Sequence, residues 1–191
     1  MEDSIRLAQD GKTLATRLSR HELLMDQLGY LREYEDKGIT TLSPAPSELV
    51  TRMKGYRDTI ITEEIVKIAD RAKKKAELTA SPSSKFNVLA KALLTAQDIL
   101  EVEGKTLGDD SSAIELRLLM HRSKIEGYIT EARKAEFKGN AKKAIDQYQE
   151  ALFYIHNDDI DDDVQRELIN NIESRLSALT GEAKPALAKP V

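Results

Sequence analysis

The chain has no cysteine and no tryptophan, and its 191 residues include only five prolines and nine glycines. Without cysteine there are no disulfides, thiolate metal ligands or thiol nucleophile, a composition that fits a reducing compartment and gives the cytoplasm as the expected location. Aromatic residues make up only 5% of the sequence, so Ala and Leu, both strong helix formers, must supply most of the interior. No stretch approaches the roughly 18 consecutive apolar residues of a membrane span. The first residues, MEDSIRLAQDGKTLATRLSRHELL, mix both charge signs and lack the apolar run of a secretory signal. An excess of one charge is missing too: 33 acidic against 29 basic residues leave a net charge of −4, which argues against general affinity for nucleic acid. Sustained strand alternation is absent, and the short run Ile39-Thr40-Thr41-Leu42 is too isolated to build a sheet.

What remains is helical periodicity. Leu14, Leu18, His21, Met25, Leu28 and Leu31 recur on one face, with Gly38 as the stop. Gly29 inside this pattern weakens the helix by about 1 kcal/mol relative to Ala and marks a close contact or a kink. Ile39 to Ser47 reads as a connector, with Ser47 as the next cap. Leu49, Met53, Tyr56 and Ile60 then form a stripe continued by Ile65, Ile68, Ala72 and Ala76. The β-branched cluster around Ile60 leaves open whether residues 47–79 form one helix or two.

Ser81-Pro82 is a strong helix start, because proline in the first helical position sacrifices no hydrogen bond. Phe86, Leu89, Leu93, Ala96 and Leu100 define that helix and Gly104 ends it. Ser112 and Glu115 have capping-box spacing. The positions Ile114, Leu118, His121, Ile125, Tyr128, Ala132 and Ala135 alternate four and three apart, the geometry of a bundle seam. Gly139-Asn140 reverses the chain into a helix whose inner face is Ala144, Tyr148, Ala151 and Ile155, and Asp162 with Gln165 caps a last helix bearing Val164, Leu168, Ile172, Leu176 and Leu179. The predicted fold is all-α, an antiparallel helical bundle of about six helices. Its segments are an N-terminal helix and connector (1–42), a central helical hairpin region (43–104), a C-terminal three-helix unit (105–180) and a disordered tail (181–191).

Catalytic chemistry has few candidates. His21 and His121 sit on apolar seams, where histidine is a hydrogen-bonded packing residue; if both faced one interior they would make an interface sensitive to pH near about 6.5. His156 falls at a helix end. The acidic run of Asp158, Asp159, Asp161, Asp162 and Asp163 lacks the central Gly and distal Glu of a calcium loop. Phosphate loops, dinucleotide fingerprints and Glu-x-x-His metal pairs are all missing, so no cofactor, no metal site and no enzymatic activity is expected.

The spacing of Tyr128, Ala132, Gly139, Ala144, Tyr148 and Ala151 resembles one tetratricopeptide-repeat unit. His156 stands where such a unit usually has proline, and Glu131-Ala132 where it usually has Leu-Gly. The same stretch with the helix Val164 to Leu179 is similar to the microtubule-interacting and trafficking domain, a three-helix bundle. Both resemblances imply a non-enzymatic adaptor that binds a peptide or partner helix. The candidate contact residues are Tyr128, Arg133, Lys134, Lys138, Lys142, Gln147, Tyr148 and Glu150. An alternative nucleic-acid-binding surface is offered by Lys67, Arg71, Lys73, Lys74, Lys75, Lys85 and Lys91. A third reading is a structural assembly subunit, the helical seams serving a homo-oligomer.

Overall fold

A computed structural model describes residues 11–39, 43–158 and 160–181. The expectations for Thr40 to Leu42, for Asp159, for the side chain of Asp162 and for the tail beyond Gly181 lie outside the described residues. Among those described there are six α-helices, one short 3-10 turn at Leu107–Asp109 and no strand: α1 (Leu14–Asp36), α2 (Pro46–Glu77), α3 (Pro82–Val102), α4 (Ser111–Phe137), α5 (Ala141–His156) and α6 (Asp162–Thr180). The fold is all-α, as the periodicity predicts.

Helix boundaries follow local chemistry. Thr13 caps α1 by accepting from the Thr16 N–H, and Asn140 caps α5 by accepting from the Lys143 N–H. Gly38, Gly104, Gly139 and Gly181 all have φ near +70°, the left-handed conformation in which only glycine avoids a steric penalty. Three expected caps are corrected. Proline takes the first position of α2, so Ser47 lies inside the helix, its N–H and hydroxyl both donating to Glu35. Asp110, not Ser112, starts α4: its buried carboxylate accepts from the Ser112 and Ala113 N–H groups. Asp161 rather than Asp162 caps α6, and Gln165 donates to Asp158 instead.

The question over residues 47–79 resolves to one continuous helix of 32 residues. Ile60 and Ile61, from the β-branched cluster that suggests a break, and Ile65 one turn on, are among the most buried of the described side chains. Their packing outweighs the small helix penalty of β-branching, a few tenths of a kcal/mol per residue, since burying each contributes about 1.5–3 kcal/mol.

The chain forms two compact units. The first comprises the described residues up to Arg71 together with Leu94–Ile114; the second comprises Ala72–Leu93 together with the described residues from Glu115 on. In the first, α1 packs antiparallel to α2, with Leu28 against Leu49 and Met53. The buried Arg17 donates to Glu63 at 2.9 Å, and the His21 ring donates through Nε2 to the Met53 carbonyl at 2.7 Å. Ile61 and Ile65 meet Ala96, Leu100 and Ala113, while Arg57 grips Glu103 with two hydrogen bonds of 2.8 and 2.7 Å. The guanidinium foremost holds the Glu103 carboxyl below its ordinary range, with Lys105 adding to the effect.

In the second unit Ile125 and Ala132 of α4, Tyr148, Ala151 and Ile155 of α5 and Ile172 of α6 form one core. Ala132 and Ala151 are fully buried, so the α4 and α5 backbones approach where no larger side chain stands between them. Two expected core positions of α4, Ile114 and Leu118, are instead on the surface, and Ala113 and Leu116 are buried in their place. Val164 of α6 is likewise exposed.

Candidate functional site

The cleft of the second unit is built by α3, α4 and α5. Lys124 and Tyr128 are one helical turn apart and therefore share a face of α4. Phe86 comes from the first turns of α3. The Lys124 ammonium lies 5.2 Å from the centroid of the Phe86 ring and 5.2 Å from that of Tyr128, a cation held between two aromatic rings. Gly127 sits between them in sequence on the side that meets α3, where a Cβ would stand 3.8 Å from the Pro82 Cβ. A Cβ there would be in ordinary contact with Pro82. The cleft has a volume of about 320 Å³ and is further lined by Ser83, Asn87, Ser123, Glu131 and Gln147.

Behind Tyr128 lies a polar chain. Its ring is 6.2 Å from that of Tyr154, whose hydroxyl is 3.0 Å from His121 Nδ1. The Asp158 carboxylate, almost wholly buried, is 3.7 Å from the same nitrogen and accepts from the Ile160 N–H and from Gln165. Burial first, and then the field of Asp158, raises the Tyr154 hydroxyl above the usual tyrosine range. His121 is thus a half-buried packing residue engaged by Tyr154, and His21 belongs to the other unit. A single interior shared by the two histidines is not what the chain builds.

The candidate contact residues divide among distinct surroundings. Tyr128 and Gln147 line the cleft. Arg133, Lys134 and Lys138 line a separate open depression of about 380 Å³ at the end of α4, together with Thr130 and Phe137. Lys142 and Glu150 are exposed on α5 and line neither. Tyr148 is 1% exposed, and its hydroxyl donates to Glu136 at 2.6 Å. It is a packing residue with no face to offer a partner.

Of the alternative basic residues, Lys67, Arg71, Lys74 and Lys75 stand at successive turns of α2, while Lys85 and Lys91 are on α3. Lys67 and Arg71 belong to the first unit and Lys73, Lys74, Lys75 and Lys85 to the second. Lys67 is 3.6 Å from Glu64 and Lys73 pairs with Glu115, while Arg71, Lys74, Lys75 and Lys91 are exposed and Lys85 is half-buried. Among the described residues no three His, Cys, Asp or Glu side chains are placed to hold a metal ion, and no helix is long and apolar enough to cross a membrane.

Sequence reasoning missed Phe86, assigned to a core face, and Lys124, assigned to nothing. The signal for the second was available: a lysine one turn before a tyrosine, with glycine between, on the helix with the strongest seam. Nothing in the sequence joins Phe86 to it. No family model, curated protein or solved structure matches the chain.

Proposed function

We propose that the protein is a non-enzymatic helical interaction module that holds a peptide or partner helix in the α3–α4–α5 cleft. The observation that carries this reading is the Lys124 ammonium between Phe86 and Tyr128. Two rings give an apolar side chain a surface to bury, and the ammonium offers its hydrogens to a carboxylate. A segment with an apolar residue near an acidic one satisfies both. The resemblance of Tyr128 to Ile155 to a repeat unit that presents helix pairs to peptides points the same way. The nucleic-acid reading has less behind it, since two of its six principal cations already face carboxylates.

The test is affinity capture from a native lysate with wild-type protein and with Lys124→Glu and Tyr128→Ala variants. A central aromatic or cationic contact is typically worth 2 kcal/mol or more, so each variant should weaken capture of a specific partner by about 30-fold. Partners retained equally by all three proteins, or none retained by wild type, would count decisively against the cleft.

A further inference from the structure

The second surface, at the turn between α4 and α5, has a different character from the cleft. Phe137, the last residue of α4, is 94% exposed, so its ring has almost no protein neighbour. It is followed by the Lys138-Gly139-Asn140 turn, all exposed. From Thr130 to Lys143 the chain carries five cations, Arg133, Lys134, Lys138, Lys142 and Lys143, against two carboxylates, Glu131 and Glu136. All five cations are exposed. Lys134 is paired with Glu131 at 2.8 Å, and Glu136 accepts from the neutral Tyr148 hydroxyl and keeps its charge, so five cations less two carboxylates leave an excess of three positive charges. Glu131 is also held below its ordinary range, by Lys134 first and then by Lys143 and Lys138, so several cations bear on one spot. A protein of net charge −4 thus concentrates positive field around one protruding aromatic ring.

From this geometry we infer that the α4–α5 turn is a docking tip for an anionic phospholipid surface. A bare ring beside a shallow, open depression fits a fluid interface, where it can insert among acyl chains without an enclosed pocket. The surrounding lysines and arginine keep their ammonium and guanidinium groups at the headgroups while their stems lie along the apolar layer. A second copy of the chain is a poorer occupant. The exposed acids at the far end of α5 are used internally, Asp161 capping α6 and Asp163 pairing with Arg166. Phe153, 68% exposed near that acidic end, is an aromatic residue without the cationic collar and serves as the internal control.

The experiment is co-sedimentation of the full chain with vesicles of phosphatidylcholine alone and of phosphatidylcholine mixed with phosphatidylserine. Wild type should partition onto the mixed vesicles only, and rising salt should release it. Juxtamembrane cations contribute enough that Arg133→Gln combined with Lys138→Gln should lower the partition coefficient about 30-fold. Removing the inserted ring in Phe137→Ser should lower it about tenfold, and Phe153→Ser should leave it unchanged. Equal partition onto both vesicle types, no partition onto the mixed vesicles, or partition unaltered by the Phe137 and double substitutions overturns the inference. Binding of a soluble acidic polypeptide by this tip without vesicle uptake assigns it to a protein partner and overturns it equally. None of these outcomes bears on Lys124 or Tyr128, so the cleft stands or falls on its own test.

Discussion

Replacing Tyr148 by Phe removes one hydroxyl and nothing else from the core of the second unit. The ring is 1% exposed among Ala132, Ala151, Ile155 and Ile172, and the hydroxyl donates to Glu136 at 2.6 Å. A hydrogen bond to a charged acceptor contributes about 1.5–3 kcal/mol net. Glu136 is half-exposed and can recover water, so the lower end applies, about 1.5 kcal/mol. Tyr148→Ala adds loss of the ring and a cavity, for a total of about 3–5 kcal/mol. Urea unfolding read by circular dichroism measures both, and an unchanged m-value keeps the comparison to the native state.

The same pair of proteins yields a pH signature. Burial, and after it the Glu136 carboxylate, raises the ionisation of Tyr148 in the folded protein above the ordinary value of 10.0. The folded chain therefore keeps a proton that the unfolded chain releases, and this contribution is complete below about pH 10 and lost as pH rises through the folded value. The stability gap between wild type and Tyr148→Phe should be flat from about pH 7 to 9 and narrow above about 10. A Tyr148→Phe protein within about 0.5 kcal/mol of wild type at neutral pH, or a gap that widens in alkali, would refute the hydrogen bond as drawn.

Two further predictions concern the first unit. Glu103→Gln should cost about 1–2 kcal/mol at pH 7, because the amide keeps one acceptor oxygen, so one of the two hydrogen bonds from Arg57 is lost and the other loses its charged acceptor. As the folded carboxyl sits below its ordinary range, the cost should be present above about pH 4.3 and fade as pH falls through the folded value, which acid-side urea titration of wild type and variant would reveal. Gly29→Ala should stabilise by about 0.5–1 kcal/mol, since α1 runs unbroken past it and an added Cβ meets nothing within 4 Å; a fall in thermal midpoint would contradict this.

The two long seams show what periodicity can and cannot carry. The inner face read for α5, Ala144, Tyr148, Ala151 and Ile155, is buried throughout. That helix is short and has one apolar stripe, so spacing alone identifies it. The seam read for α4 spans three heptads from Ile114 to Ala135, and a straight helix drifts by about 20° per heptad from such a repeat. Yet Ile114 and Ala132 are about five full turns apart and share one face of a straight helix, so it is the neighbours that change: Ala113 packs with Ile61, Ile65, Ala96 and Leu100 in the first unit and leaves Ile114 outside, while Ile125 and Ala132 meet α5 and α6 in the second. Ser47 and Ser112 do not cap their helices because a neighbouring proline or aspartate holds the better position. The contacts of Arg17 with Glu63 and of Arg57 with Glu103 link residues 46 positions apart. No local pattern encodes them. The cleft was half legible for the same reason: Lys124 and Tyr128 are sequence neighbours on a helix, whereas Phe86 arrives only through tertiary packing.

If the cleft holds a ligand as proposed, the lysine between two rings also has a kinetic meaning. A surface lysine loses about 1.5–2 kcal/mol of rotamer entropy when a ligand fixes it, but Lys124 has already surrendered part of that freedom on folding against Phe86 and Tyr128. A ligand meeting it finds a charge in place rather than one to be recruited. Preorganisation of this kind is felt mainly as slower dissociation. The cations around Phe137, apart from Lys134, which Glu131 holds, keep their freedom and at an anionic surface would act through long-range attraction, which governs the rate of arrival. One helix, α4, therefore carries a residue suited to retention on one face and residues suited to capture at its end.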